Sequence, residues 1–230
     1  MGYHRAGFDV VGVDIEPQPN YPFEFHSADV MDVLDPHMGS ATYVPESLEL
    51  GRFDAIHASP PCQGYSRMRH LPWLRNREYQ LLIEPVRERL VGSGVPWVIE
   101  NVEDAPLERA ASLFGIHGVL LCGTMFGLPI YRHRPFESSV NMIQPEHPRH
   151  SFVISPGRML GGRADVRRGV TAWQEGGGVG GHMGGVDRAR QAMGIDWMPA
   201  AALSQAIPPA YTEYVGKQLM DALVNPRLVR

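Results

Sequence analysis

The sequence predicts an α/β fold built on a mostly parallel sheet. Three observations carry this. Short apolar runs recur through the first half of the chain. A segment with helical spacing stands among them. Residues suited to chemistry fall where the runs stop, which is where an open α/β sheet places its ligands.

The elements follow in order. MGYHRAGF (1–8) reads as the tail of a helix that Gly7 stops. DVVGVDI (9–15) reads as a buried strand ending in an acid. FHSADV (25–30) is a second strand, ending near Asp29. GRFDAIHASPP (51–61) is a third, stopped by Pro60 and Pro61. REYQLLIEPVRERLVGSG (77–94) places Leu81, Leu82, Val86 and Leu90 at helical spacing before Gly92 and Gly94. Pro85 kinks that helix or shifts its start. PWVIENV (96–102) is a fourth strand and GVLLCGTMFGL (118–128) a fifth, followed by the polar RHRPFESS. Residues 157–185 then hold 11 of the 25 glycines and show no strong periodicity. Order returns with ARQAMGIDWM and with AALSQAIPPAYTEYVGKQLMDALV, a helical pattern interrupted by Pro208-Pro209.

Composition narrows the function classes. Of 230 residues, 43% are hydrophobic and 20% charged, enough for a real core. No apolar run reaches the ~18 residues of a membrane span, and the N-terminus lacks the apolar stretch of a signal peptide. Cys62 and Cys122 are too few for a disulfide framework or a cysteine-rich zinc site, so a reducing, cytoplasmic compartment and no metal are expected. The net charge is −4, yet residues 132–190 carry nine arginines against five acids. Such a basic, glycine-rich stretch on an acidic body suits a polyanion; scattered arginines on a solvated loop would give the same count.

Two stretches carry the chemistry. In Ser59-Pro60-Pro61-Cys62-Gln63-Gly64-Tyr65-Ser66 the prolines hold the backbone extended before a cysteine at a strand end. That presents either a rigid nucleophilic thiol or a buried structural cysteine after a turn. In Ile99-Glu100-Asn101-Val102 a carboxylate follows an apolar run. It is either a partly desolvated acid able to hold a proton for a substrate nitrogen or a surface acid opening a loop.

PPCQGYS followed by IENV resembles the paired signatures of the DNA cytosine-C5 methyltransferases. The resemblance implies a Rossmann-like S-adenosylmethionine-dependent methyltransferase sheet with a small Gly/Arg-rich target-recognition module. It assigns Cys62 as the nucleophile that attacks C6 of a flipped cytosine and Glu100 as the group that hydrogen-bonds N3. Tyr131-Arg132-His133-Arg134-Pro135-Phe136 is similar to the family's Arg-x-Arg motif, so Arg132 and Arg134 are expected to hold the base and nearby phosphates; Ile130 stands where that motif usually has Gln. Asp14 with Ile15, and Asp29 with Val30, match the acids that bind the ribose and adenine of the cofactor. Pro61, and Gln205 and Ile207 in SQAIPP, complete that pocket; Gln205 replaces a usual Asn.

The resemblance further implies a loop that closes on double-stranded DNA, with Gln63, Ser66, Arg67, Arg69 and Asn101 on the DNA side. Arg158, Arg163, Arg167 and Arg168 would reach the duplex from the recognition region. Trp173 and His182 either contact bases or, for Trp173, pack that region. The implied organisation is a catalytic and cofactor domain over 1–136, a recognition region over 137–190 and a return to the catalytic domain over 191–230. The recognition region is short, as in compact phage-encoded members of the family, and a monomer is expected. The family's Phe-x-Gly-x-Gly-Gly cofactor loop has no match, which implies a strand absent upstream of Met1 and weak cofactor binding by this chain. A DNA-binding homologue without chemistry, and an enzyme acting on RNA cytosine, are the other readings.

Overall fold

The computed structural model describes residues 1–35, 45–74, 76–108, 115–128, 130–150, 186–203 and 205–225. The chain divides into two compact units, each assembled from separated stretches. A sheet unit comprises 9–120, 134–143 and 218–230, and a helical unit comprises 1–8, 121–133 and 144–217. The expected boundary at 136/137 therefore falls inside an element, because the last strand runs through it.

In the sheet unit, β1 (Val11–Asp14) and β2 (Glu24–Ser27) pair in parallel, with Asp14 opposite Ser27. The short helix α2 (Val30–Leu34) follows, and Asp29 caps it by accepting the Met31 N–H at 2.8 Å. Then come β3 (Ile56–Ala58), α3 (Ile83–Ser93), β4 (Trp97–Glu100), β5 (His117–Leu121) and β6 (Arg134–Ser138). The described strands form two sheets: β1–β2, and a second in the order β3-β4-β6-β5. β3 lies parallel to β4, but β6 runs antiparallel to it. Of the three strand pairings with a described register, two are parallel, as expected, and β6 is the antiparallel exception.

All four residues of β4 are buried. Trp97 and Ile99 pack with Ile83, Val86 and Leu90 of α3 and with Leu34, Ala105 and Leu107. Each of these large apolar side chains contributes about 1.5–3 kcal/mol by leaving water. Pro85 does not kink α3. It sits in the first turn, where a missing N–H costs no intrahelical bond. The helix ends at Gly94, whose φ of 69° is left-handed and suits glycine.

β6 is the strand that the sequence pattern did not announce. Its Phe136, Glu137 and Ser138 are buried. The Glu137 carboxylate, 0% exposed, accepts from Arg87 Nε at 2.5 Å, from Arg87 Nη2 at 2.9 Å and from the Glu108 N–H at 2.8 Å. Ser138 Oγ donates to the Trp97 carbonyl at 3.0 Å.

The helical unit holds α1 (Gly2–Arg5), α4 (Val186–Met193), α5 (Ala200–Leu203) and α6 (Pro209–Val224), whose last turns pass into the sheet unit. Pro209 opens α6 at the position where proline suits a helix, so Pro208-Pro209 starts this helix rather than interrupting one. Gly2 packs so closely that a Cβ there would lie 2.3 Å from the Pro209 carbonyl oxygen. Ile130, Ala189, Ala192, Met193, Ile195 and Leu203 form the core. Among the described residues, no helix is long and apolar enough to cross a membrane.

Two stability predictions follow from these burials. Arg87→Met leaves the Glu137 charge buried without its main partner, and urea unfolding should show a loss of about 3–5 kcal/mol. An unchanged midpoint would mean that the Arg87–Glu137 pair adds nothing to stability. His57, on β3, is held by burial at a pKa of about 4, below its ordinary 6.5. The unfolded chain then takes up the proton first. Stability present at neutral pH is lost as pH falls from the unfolded value toward the folded one, by up to about 3 kcal/mol. Unfolding near neutral pH and near pH ~4 should show wild type losing more than His57→Gln by about that amount; equal losses would discard the assignment.

Candidate active site

β3 and β4 run parallel with Ala58 opposite Ile99, so their carboxyl ends lie together. Ser59-Pro60-Pro61-Cys62 leaves one strand and Glu100-Asn101 ends the other. Asn101 joins them. It is 2% exposed, its Nδ2 donates to the Pro60 carbonyl at 2.7 Å, and its Oδ1 accepts the Val102 N–H at 2.9 Å. Its backbone N–H donates to the Pro135 carbonyl at 3.3 Å. Asn101 was expected on the DNA side. In the fold it also acts as an internal brace, because a buried amide must satisfy its polar atoms and the Pro60 carbonyl accepts from it.

Cys62 is half-buried. Its carbonyl accepts the N–H groups of Tyr65 at 3.0 Å and Ser66 at 2.9 Å, which folds the chain into a tight turn after the thiol. The Tyr65 hydroxyl accepts the Ile83 N–H at 3.1 Å and ties that turn to the start of α3. Gly64 permits the close fit: a Cβ there would lie 2.6 Å from Leu81.

Glu100 is 6% exposed and is not a surface acid. Its Oε1 lies 2.9 Å from Arg134 Nε. The antiparallel register, with Glu100 opposite Phe136, delivers Arg134 to this end of β4. In the helical unit, Arg132 is 5% exposed and donates from Nη2 to the Ala206 carbonyl at 2.9 Å. The Tyr211 hydroxyl donates to the Arg132 carbonyl at 2.6 Å. Those bonds set Arg132 against the Gln205–Ile207 segment, in which Gln205 is exposed and Ile207 half-buried.

The expected cofactor acids lie at the carboxyl ends of neighbouring strands. Asp14 ends β1 and accepts the Glu16 N–H at 2.9 Å, while Asp29 follows β2. Both are exposed, and Ile15 between them in sequence is 65% exposed. Val30 is half-buried, and Pro61 and Gln63 are exposed. In the loop after Cys62, Arg67 pairs with Asp104 at 2.6 Å, and Arg69 donates to the Gly64 carbonyl. Arg158, Arg163, Arg167, Arg168, Trp173 and His182 lie outside the described residues.

Cys122 is buried. Its sulfur nevertheless lies 3.4 Å from His150 Nε2. Burial opposes ionisation of this thiol, but hydrogen bonds from Thr124, His150 and His147 outweigh it and hold the group below its ordinary range.

No family model and no curated protein matches the chain. Solved structures do. A prophage-encoded E. coli protein assigned as a DNA modification methyltransferase superposes with a TM-score of 0.55 at 16% identity, over 97% of this chain and 95% of the other. A triple-substituted DNMT2 of Spodoptera frugiperda superposes with a TM-score of 0.50 at 15% identity, over 95% and 96%. The fold is therefore that of these methyltransferases.

The brace generates a prediction. Asn101→Ala removes the side-chain donor to the Pro60 carbonyl and should lower the unfolding free energy by about 1–3 kcal/mol in urea titrations. Unchanged stability would show that the carbonyl finds another donor.

Proposed function

We propose that the chain is a DNA cytosine-C5 methyltransferase. The observation that carries this is the Asn101 brace, which ties the Pro-Pro-Cys62 turn to the strand end bearing Glu100. A nucleophile and an acid on adjacent strand ends suit attack on a planar ring from the edge of a sheet.

Cytosine C5 is a poor nucleophile within an aromatic ring. The target base leaves the stack, and the Cys62 thiolate adds to C6, forming a C–S bond and moving an electron pair into the ring. Glu100 hydrogen-bonds N3, where that density collects. Arg134, 2.9 Å from Glu100, keeps the carboxyl group oriented in a buried setting. C5 is then nucleophilic. S-adenosylmethionine, when bound, supplies the methyl group. A base removes the C5 proton, the C–S electron pair returns to sulfur, and Cys62 leaves as thiolate.

Asp14 and Asp29 fit the nucleoside part of that cofactor: two exposed carboxylates at neighbouring strand ends beside an exposed apolar side chain. In this reading Asp14 takes the ribose hydroxyls and Asp29 the adenine amino group. Ile15 and Val30 cover the ring and Pro61 completes that side, while the motif resemblance makes Gln205 and Ile207 cofactor residues as well. Gln63, Ser66, Arg67 and Arg69 serve the DNA from the loop after Cys62. Arg67 would exchange Asp104 for a phosphate, a small cost for an exposed ion pair.

The test is mass spectrometry of nucleosides from duplex DNA incubated with the chain and S-adenosylmethionine. With S-adenosylmethionine in large excess, to offset the weak cofactor binding expected of this chain, we expect 5-methylcytosine from wild type, none from Cys62→Ala, and about 10²–10⁴-fold less from Glu100→Gln. Methylation surviving Cys62→Ala would overturn the mechanism. Preference for transfer RNA over duplex DNA would move the substrate to RNA.

A further inference from the structure

We infer that Cys122, His133, His147 and His150 bind one zinc ion, through the Cys122 sulfur and three imidazole nitrogens. The inference is independent of the methyl-transfer reading and uses none of its residues.

The geometry comes from three stretches of the helical unit. Cys122 follows β5 and opens a 3₁₀ turn over Gly123–Phe126. Gly123 lets the chain return close to itself: a Cβ there would lie 2.4 Å from the Ile130 carbonyl oxygen. That return carries the chain on to His133. The third stretch supplies His147 and His150, in the spacing His-Pro-Arg-His. One ligand atom from each of the four residues lies within 4.8 Å of all the others.

Two of the six edges lie close to those of a tetrahedron around zinc. With Zn–S near 2.3 Å and Zn–N near 2.0–2.1 Å, tetrahedral angles give S···N edges of about 3.6 Å and N···N edges of about 3.3 Å. Cys122 Sγ lies 3.4 Å from His150 Nε2, and His133 Nε2 lies 3.1 Å from His147 Nε2. Hydrogen bonds could explain either pair alone. They do not explain why three imidazoles and a thiol aim at one point. An imidazole shares one proton with one neighbour at a time, and protonating the rings together would set like charges against one another. A divalent ion satisfies all four groups at once.

The surroundings support the ligands. Tyr131 stacks on His150 with centroids 3.8 Å apart and planes 7° from parallel, which fixes that ring. Thr124 Oγ1 donates to Cys122 Sγ at 3.5 Å, a contact that suits a thiolate ligand. One thiolate and three imidazoles form a set suited to zinc, and four protein ligands leave no open position. The ion is therefore structural. It fastens residues 147–150 to the turn after β5, immediately before the glycine-rich stretch. The proposal departs from the expectation of no metal: the cysteine count excludes only a cysteine-rich site, and a site with one cysteine and three histidines lies outside that exclusion.

The test uses the full chain, without a polyhistidine tag, expressed with zinc. Elemental analysis after dialysis should find about one zinc per chain. Replacement by cobalt should give the intense visible bands of a tetrahedral ion and a thiolate-to-cobalt charge-transfer band, the latter lost in Cys122→Ser. The double variant His147→Ala/His150→Ala should retain less than about a tenth of the zinc. X-ray absorption of the zinc-loaded wild type needs no variant and should show one sulfur and three nitrogens. Zinc below about a tenth per chain, or a coordination shell without sulfur, would overturn the proposal.

Discussion

The pairing of β4 on both of its edges is the constraint from which the site follows. Trp97–Glu100 is buried throughout, with β3 on one side and β6 on the other. Because β3 is parallel, its carboxyl end, and so the Pro-Pro-Cys62 turn, arrives where β4 ends. Because β6 is antiparallel, its beginning arrives there instead, and Arg134 meets Glu100. A parallel β6 would have brought Ser138 to that position and left a nearly buried carboxylate without its cation. Strand direction thus decides which side chains share the end of the sheet, and the Asn101 amide fastens the arrangement across to Pro60.

The same strand carries a second buried charge inward. Glu137 opposes Ile99 and reaches Arg87 of α3, so one ion pair connects a helix to the sheet beneath it. Such a pair adds little net stability over well-packed apolar residues, since both charges lose water. Its effect is on register. A slip of β6 by one residue would turn Glu137 to the opposite face, away from Arg87 and the Glu108 N–H. The register that keeps Glu137 paired is also the one that sets Arg134 against Glu100.

How much of this was legible in the sequence depended on whether the cause was local. β1, β3, β4 and α3 show themselves because apolar runs and their proline or glycine stops lie within a few residues of each other. Cys62 and Glu100 were legible for the same reason, as reactive types at the ends of such runs. β6 was not. RPFES has charged and polar residues that look solvent-facing, and Arg87, fifty residues away, together with the Glu108 N–H makes burial of Glu137 tolerable. Asn101 was legible as part of a motif but not in its role, because its acceptor lies forty-one residues back. The Cys122 cluster escaped for a related reason: its ligands come from three stretches, and a search by cysteine count does not see histidines converging.

Burial also redistributes the charge that suggested a polyanion partner. The basic stretch 132–190 includes Arg132, Arg134 and Glu137, all of which are buried or nearly so and bonded within the protein. An arginine that holds a buried carboxylate is not available to neutralise a phosphate without leaving that carboxylate unpaired. Setting those three aside leaves seven arginines against four acids, all between 146 and 190. The positive balance therefore survives, but its source moves. Arg134 belongs to the strand end beside Glu100 and Arg132 is bonded to the Ala206 carbonyl, so the positive balance that suits a polyanion is carried in sequence by residues 146–190.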